Sequence, residues 1–504
     1  GVDLVYYGNG SRLEYDFVVA PQADPKQIAL KFEGAEKLEI NEEGDLLIRV
    51  EDGEVRQHKP LVYQETDGER TEIAGKYVLK NETEVGFEIG EYDVSKKLVI
   101  DPVLAYATYL GSSEYEISHG IAVDAAGNSY VTGYAIPPAF PTTPGSVRPS
   151  VNNGGSLTPF VAKFNATGTA LLYSTYLGGA GEGIAVDAAG NAYTTGYPHP
   201  ELFSTTPGAL DMGRGGVGIT KLNPQGNQRI YAARFGSSGS DLPREIAIDS
   251  QGNAVVVGSA GCFTSCDFPI LNAAQPTPPT AGGGGFVAKL NAAGSALVYS
   301  TYLGTGTEEL WGVDVDPAGS AYVTGNTTSF NFPTTPGAFD RTFACPQPPF
   351  CNADSFVTKI PPAGGAYAYS TYLGGRGDER GWAIAVDDAG NAYAAGYTDG
   401  RFSGFPDEGF PTTPGAFKMF GSVEAYVTKL NPNGSALVYS TLLGGEGSSC
   451  GDERARDVDV DRLGNAYVVG LTTCNNFPLA NPLQSAPSSF QPEAFVTKLN
   501  PNGS

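Results

Sequence analysis

Apolar and polar residues alternate in short runs along the whole chain, and each run ends in a turn. In the first hundred residues the runs are "RLEYDFVVA", "QIALKFEGA", "DLLIRVEDGEV", "GKYVLK", "VGFEIG" and "KKLVIDP". Alternation at period two, bounded by Gly, Asn or Asp, predicts half-buried antiparallel strands. Residues 1–103 therefore read as a β-sandwich or meander domain, with Pro102 marking the junction to the rest. No stretch shows a helical period with caps.

From residue 104 onward the pattern repeats. "GIAVDAAGNSYVTGY" at 120–134 returns with small changes from Gly183, Glu245, Gly312, Ala383 and Asp457. A second element follows each copy: "FVAKFN" from Phe160, then relatives from Gly218, Phe286, Phe356, Tyr426 and Phe495, spaced 58, 68, 70, 70 and 69 residues apart. A third, "LLYSTYLGG" at 171–179 and its relatives, closes each unit. Each unit thus offers four short strands: I-A-V-D, A-Y-V-T-G, F-V-T-K-L and L-V-Y-S-T-Y-L. Asp and Asn suit the tight turns because their side chains bond the local backbone, and Gly supplies positive φ. Four antiparallel strands repeated at about 70 residues predict an all-β chain with a β-propeller of six four-stranded blades. The last unit has only three strands before Ser504, whereas "LAYATYLG" at 104–111 precedes the first unit as an orphan fourth strand. A three-plus-one closing blade, with 104–111 paired to 494–499, is the expected closure, since it leaves no exposed edge there.

"YSTYLGG", "GIAVDAAGNAYTTG", "FPTTPGAF" and "FVTKLNPNGS" resemble the SBBP repeats, the "seven-bladed beta-propeller" repeats of bacterial secreted and surface proteins. The resemblance covers 104–504, and residues 1–103 look like the uncharacterised β-rich domain that often precedes such repeats. The family name implies seven blades, whereas six copies are present here. The resemblance implies an extracellular, surface-associated protein and brings no catalytic residues.

Composition narrows the function. With 31 Lys+Arg against 55 Asp+Glu the chain carries a net charge of −24, which argues against a nucleic-acid partner because phosphate binding needs a basic face. No apolar run approaches the ~20 residues of a membrane helix, so no membrane insertion is expected in this segment. The chain begins in mid-pattern at "GVDLVYYGNG", which reads as a mature or trimmed fragment. The six cysteines lie in Pro- and Ser-rich loops, and the pairs Cys262–Cys266, Cys345–Cys351 and Cys450–Cys474 are expected as disulfides in an oxidising compartment. Zinc is disfavoured, since no C-x-x-C pair or nearby His accompanies them.

Six repeated aspartates (Asp124, Asp187, Asp249, Asp316, Asp387 and Asp461) each end a first strand. They read as turn caps paired with the repeated lysines Lys163, Lys221, Lys289, Lys359, Lys429 and Lys498, because a site needed once would not recur in every blade. The loops approaching each first strand differ between copies, and variable loops on a rigid scaffold are where function sits. Within them Glu308, Trp311, Asp378, Arg380, Trp382, Asp452 and Arg454 are the candidate binding residues, tryptophan beside charge being a plausible anchor. No cofactor is expected. A Ca2+ ion on the acidic loop face would need Glu308, Asp378 and Asp452 to converge, and none of the loops has D-x-D-x-D spacing. His119 is the lone histidine near that face, and no Ser-His-Asp or Cys-His arrangement assembles around it.

The leading expectation is a non-enzymatic extracellular or cell-surface module for recognition, adhesion or assembly. Its partner would be a surface protein or glycan, or copies of itself. Two other readings stand beside it: a structural subunit of an extracellular fibre or larger surface protein, and a polysaccharide- or peptide-processing enzyme on a propeller scaffold.

Overall fold

The computed structural model describes all residues except 1, 10–11, 32–36, 41–43, 51–52, 58, 67–68, 82–83, 102–109, 153–154, 167, 262–266, 280–282, 307, 345–351, 400–408, 418–422, 446–451, 480–491 and 504. The chain divides into two units, Gly1–Ala107 and Thr108–Ser504. In the first, a five-stranded sheet runs in the order Val2–Asn9, Arg12–Val19, Leu98–Asp101, Leu61–Thr66, Glu69–Ile73. Two three-stranded sheets accompany it, and the described residues contain one short 3-10 turn, Pro25–Gln27. The last strand sits in the middle of the large sheet, Ile100 opposing Phe17 on one side and Val62 on the other. All three side chains are buried in one core with Leu46, Tyr77, Val85 and Leu98.

The second unit contains five four-stranded antiparallel sheets in consecutive order and a sixth of three described strands. Blade 1 is Glu116–Val123, Ser129–Ala135, Thr158–Phe164 and Leu171–Tyr176. The later blades follow the sequence repeat, ending with Arg454–Val460, Ala466–Thr472 and Glu493–Leu499. The fourth strand expected at 104–111 lies outside the described residues except for Leu110 and Gly111. The first strands are innermost, and each packs on the first strand of the next blade in chain order. In blades 2 to 5 the second and third strands are buried on both faces, as in Ala192–Gly196 and Gly283–Leu290, so they read as nearly continuous apolar runs.

One tight turn per blade joins the first two strands. Asp124 Oδ1 accepts the backbone N–H groups of Ala126 and Asn128 at 3.0 and 2.9 Å, and the Gly127 N–H donates to the Asp124 carbonyl at 2.9 Å. Gly127 has φ of 80°, where a β-carbon is strained, and the equivalent Gly190, Gly252, Gly319, Gly390 and Gly464 share that conformation. Five of the six expected aspartate–lysine pairs form: Lys163–Asp124 at 3.4 Å, Lys221–Asp187 at 3.3 Å, Lys289–Asp249 at 2.8 Å, Lys359–Asp316 at 3.2 Å and Lys429–Asp387 at 3.3 Å, whereas in blade 6 Lys498 Nζ lies 5.1 Å from the Tyr467 ring centre and makes no ion pair with Asp461 among the described residues.

The second-strand tyrosine links neighbouring blades through this turn. The Tyr130 hydroxyl lies 2.9 Å from Asp124 and 3.1 Å from the Gly190 carbonyl of blade 2. Tyr193, Tyr322 and Tyr393 repeat the arrangement toward Gly252, Gly390 and Gly464. Blade 3 carries Val255 in place of the tyrosine, and there Lys289 Nζ donates to the Gly319 carbonyl at 2.9 Å instead.

Candidate functional site

Five first strands carry a β-bulge at one equivalent position. The sheet pairing skips His119, Arg244, Trp311, Trp382 and Arg456, and resumes one residue later. In blade 2 the equivalent sequence position is Glu182, immediately before the strand Gly183–Val186. A bulged residue leaves the ladder and its side chain is re-aimed, which is why bulges gather beside functional sites. Opposite each bulge stands the last glycine of the Y-V-T-G pattern: Gly133, Gly258, Gly325, Gly396 or Gly470. A β-carbon on any of them would overlap the carbonyl oxygen two residues before the bulge.

The re-aimed side chains meet their neighbours from blade to blade. His119 Nδ1 lies 2.9 Å from Glu182 Oε2, and Glu182 Oε1 accepts the Tyr134 hydroxyl at 2.9 Å. The Arg244 guanidinium stacks 4.3 Å from the Trp311 ring centre, whose indole N–H donates to Asn326 Oδ1 at 3.1 Å. Arg456 stacks 4.2 Å from the Trp382 ring, which packs 4.9 Å from Tyr397. Neither Arg244 nor Arg456 has an ion pair among the described residues. The result is a row of one variable side chain per blade along the first strands, the bulge ring.

Carboxylates lie on the same strands just past the ring. Burial pushes Glu245 up to about 8, and the carboxylates of Asp457, Asp314 and Glu182 add to the shift. Asp314 is pushed up to about 7 by burial, against hydrogen bonds from the Val315 and Val386 N–H groups. Asp457 is pushed up to about 6 by the same cause. Glu182 behaves in the opposite way. Burial opposes its charge, but bonds from His119 and Tyr134 and the charges of His119 and Arg244 hold its carboxyl below the usual range.

The predicted site residues divide into three kinds. Trp311 and Trp382 are bulge residues and belong to the ring. Asp378 accepts from Arg380 Nε at 3.4 Å and from the Tyr397 hydroxyl at 2.9 Å, while Arg380 reaches Glu309 of blade 4 at 3.8 Å. Asp452 pairs with Arg454, whose guanidinium lies 5.0 Å over Tyr397. These four brace the ring. Glu308 is different, because its carboxylate is buried and accepts from the Thr305 and Gly306 N–H groups and the Thr327 hydroxyl. It ties down its own approach loop, as Asp241 and Glu379 do in blades 3 and 5.

No group of three metal-holding side chains occurs among the described residues. Five of the six cysteines lie outside the described residues, and the sixth, Cys474, is not a free thiol. The ring members Glu182, Arg244 and Arg456 were not singled out by the sequence reading, and His119 was weighed there only as a catalytic histidine.

Comparison with known proteins gives two sequence matches. A domain of unknown function (DUF7948) matches residues 1–103, and the SBBP beta-propeller repeat matches 105–136, 368–403 and 438–478. No curated protein matches the chain. Solved structures with some likeness include the acylaminoacyl peptidase of Pyrococcus horikoshii, at 9% identity and a TM-score of 0.35 over 71% of this chain. That match spans only 43% of the peptidase. A protein of unknown function from Dyadobacter fermentans is 12% identical, with a TM-score of 0.38 over 73% of this chain and 93% of its own. The β-propeller domain of the Trilobed protease from Pyrococcus furiosus is 8% identical, with a TM-score of 0.36 over 72% of this chain and 79% of its own. On these matches, residues 1–103 are similar to the DUF7948 domain, and the stretches 105–136, 368–403 and 438–478 are similar to the SBBP beta-propeller repeat.

Proposed function

We propose that the protein is a non-enzymatic extracellular recognition module that holds a surface protein or glycan on the ring of bulge residues. One observation carries this reading. A single backbone position is repeated around the innermost strands, yet it bears His, Glu, Arg, Trp, Trp and Arg in turn. The tight turns at the opposite end of the same strands repeat nearly the same Asp, Gly and Asn. Residues that serve the fold repeat, and residues that differ at a fixed position are available to a ligand. Indole and guanidinium pairs supply flat apolar surface and directed donors, the combination enriched at binding hot spots. Arg244 and Arg456, which have no ion pair among the described residues, favour a ligand that presents carboxylate or sulfate groups.

The test compares binding of the purified chain with that of variants, using a panel of acidic and neutral polysaccharides and intact bacterial surfaces. Trp311→Ala with Trp382→Ala is expected to weaken binding at least tenfold, while Asn253→Ala in a tight turn leaves it within about twofold. Binding that survives the double variant and is lost in the turn variant would reject the site.

A further inference from the structure

Three departures from the repeat meet where blade 1 borders blade 2. In blades 1, 3 and 4 the loop between the second and third strands lays one residue along the fourth strand, and its N–H donates to a threonine there at 2.8 Å: Arg148 to Thr175, Gln275 to Thr301 and Asp340 to Thr371. The Gln275 amide is taken up by the Gly304 N–H and carbonyl, and the Asp340 carboxylate by the Thr342 N–H. Arg148 alone of the three is a cation. The second departure is Arg229, opposite Leu222 at the start of the fourth strand of blade 2, where blades 1, 3 and 5 carry Leu171, Leu297 and Leu437. The third is Ala232. In blades 4 and 5 a third-strand threonine bonds the serine opposite it, Thr358 with Ser370 at 2.8 Å and Thr428 with Ser440 at 2.7 Å. Blade 2 sets Ala232 opposite Thr220, so the Thr220 hydroxyl lacks that partner.

Both arginines hold the same short loop of blade 2. Arg148 Nη2 donates to the Leu202 carbonyl at 2.9 Å, and Arg229 Nη1 donates to the Ser204 carbonyl at 2.9 Å. Gly178 lets that loop come close, since a β-carbon there would overlap the Leu202 carbonyl. The two guanidiniums line one cavity of about 60 Å³ with Leu177, Gly178, Phe203 and Thr220. Arg148 Nη1 is buried and has no hydrogen-bond partner. Thr220 is 2% exposed, and its hydroxyl bonds no group among the described residues. Neither arginine has an ion pair among the described residues. Burial and the charge of Arg229 hold Arg148 below the usual arginine value. Two like charges on one cavity, with buried donors left unmet, are unfavourable until an anion joins them.

We propose that this cavity is an anion site, in which the Arg148 and Arg229 guanidiniums and the Thr220 hydroxyl take one oxyanion group of sulfate or phosphate size. A buried water needs about 10–15 Å³ of such space, so the cavity has room for roughly five heavy atoms. A guanidinium offers its donors in a fixed fork that matches two oxygens of the group. Leu177 and Phe203 add apolar wall, which strengthens the attraction by excluding water. The chain as a whole carries a charge of −24, so the attraction comes from this pair and not from the general field. The site lies by the fourth strands, apart from the bulge residues on the first strands, and it stands whether or not those bind a ligand.

The experiment titrates the full chain with sodium sulfate by calorimetry, sodium chloride holding the ionic strength constant, and soaks crystals with selenate to locate the anion by its anomalous signal. Selenium is expected between the two guanidiniums. Arg229→Leu installs the residue of blades 1, 3 and 5, and Arg148→Gln installs that of blade 3 while keeping a donor for the Leu202 carbonyl. Each should weaken sulfate binding about tenfold or more, in a protein that melts within about 2 °C of the parent. Arg341→Ala, at an exposed arginine of blade 4, should leave binding within about twofold. A sulfated oligosaccharide separates two sources of the group. Binding about tenfold tighter than sulfate, with that margin lost in Arg229→Leu, supports a glycan sulfate ester in the site. Affinity equal to that of sulfate supports a free inorganic anion there. A parent that binds no sulfate, sulfate affinity unchanged in both arginine variants, or selenium found only elsewhere overturns the proposal.

Discussion

The Tyr393 hydroxyl lies 3.1 Å from the Asp387 carboxylate of its own blade and 3.2 Å from the Gly464 carbonyl of the next. One proton thus serves two acceptors, with Lys429 Nζ 4.6 Å from the ring centre. Tyr393→Phe removes that proton and leaves a half-buried carbonyl short of a donor, which costs about 1 kcal/mol. Amide exchange should rise in blades 5 and 6 before the rest. In blade 3, where Lys289 makes the same link, Lys289→Met should be more damaging than Lys429→Met, because it removes the link and the ion pair together. Equal losses would mean that the lysines act only as charge partners.

The turn aspartates give the protein an acid limit. Burial alone would raise the Asp387 carboxyl, but bonds from the Asn391 side chain and N–H, with the charge of Lys429, hold it below the usual range. Asp124, Asp187, Asp249, Asp316 and Asp461 are held down in similar fashion. A depressed folded value stabilises above the unfolded value of about 3.9, and that stability is lost as pH falls through the folded value. Thermal melts should therefore drop below about pH 4, and Asp387→Asn should shrink the drop.

Glu245 has the opposite sign. Its folded value of about 8 exceeds the unfolded value of about 4.3, so its contribution is present at low pH and is lost as pH rises through 8. Glu245→Gln is expected to raise the melting temperature relative to the parent at pH 9 and to change it little at pH 4. Asp314→Asn should show the same trend around its value of about 7. A parent and variant that differ equally at both pH values would show that Glu245 titrates alike in the folded and unfolded states.

Gly396 should be intolerant of a side chain. A β-carbon there overlaps the Arg380 carbonyl, so Gly396→Ala must flatten the bulge and swing Trp382 out of the ring. The cost is about 1–3 kcal/mol or more, and Trp382 fluorescence should shift. Gly208→Ala, at φ of 83° but with open space around it, should cost about 1 kcal/mol and leave fluorescence alone.

Much of the fold was legible because repeated chemistry has repeated causes. Asp124 with Asn128 and Lys163 reads as a turn cap with its counter-charge, and both contacts are present. Tyr173 and Tyr176 fall on opposite faces of one strand, as their odd spacing requires, and enter different apolar clusters. The ring was only partly legible. An extra residue in a strand leaves the apolar residues on either side looking regular, so the bulges at Arg244 and Arg456 carry no signal of their own. The available signal was the glycine opposite, Gly258 or Gly470, which a plain strand would not need. Glu308 looks like any charged loop residue until Asp241 and Glu379, each also three residues before a bulge, are seen to make the same loop ties.

The bulge also separates two kinds of freedom. Ladder residues are committed to register, so changing one disturbs its neighbours. His119, Arg244, Trp311, Trp382 and Arg456 stand outside the ladder. Each can therefore be exchanged without renegotiating the sheet that presents it. A lineage carrying this scaffold can rewrite the side chains of its bulges one blade at a time through single codons, provided each opposing glycine stays fixed.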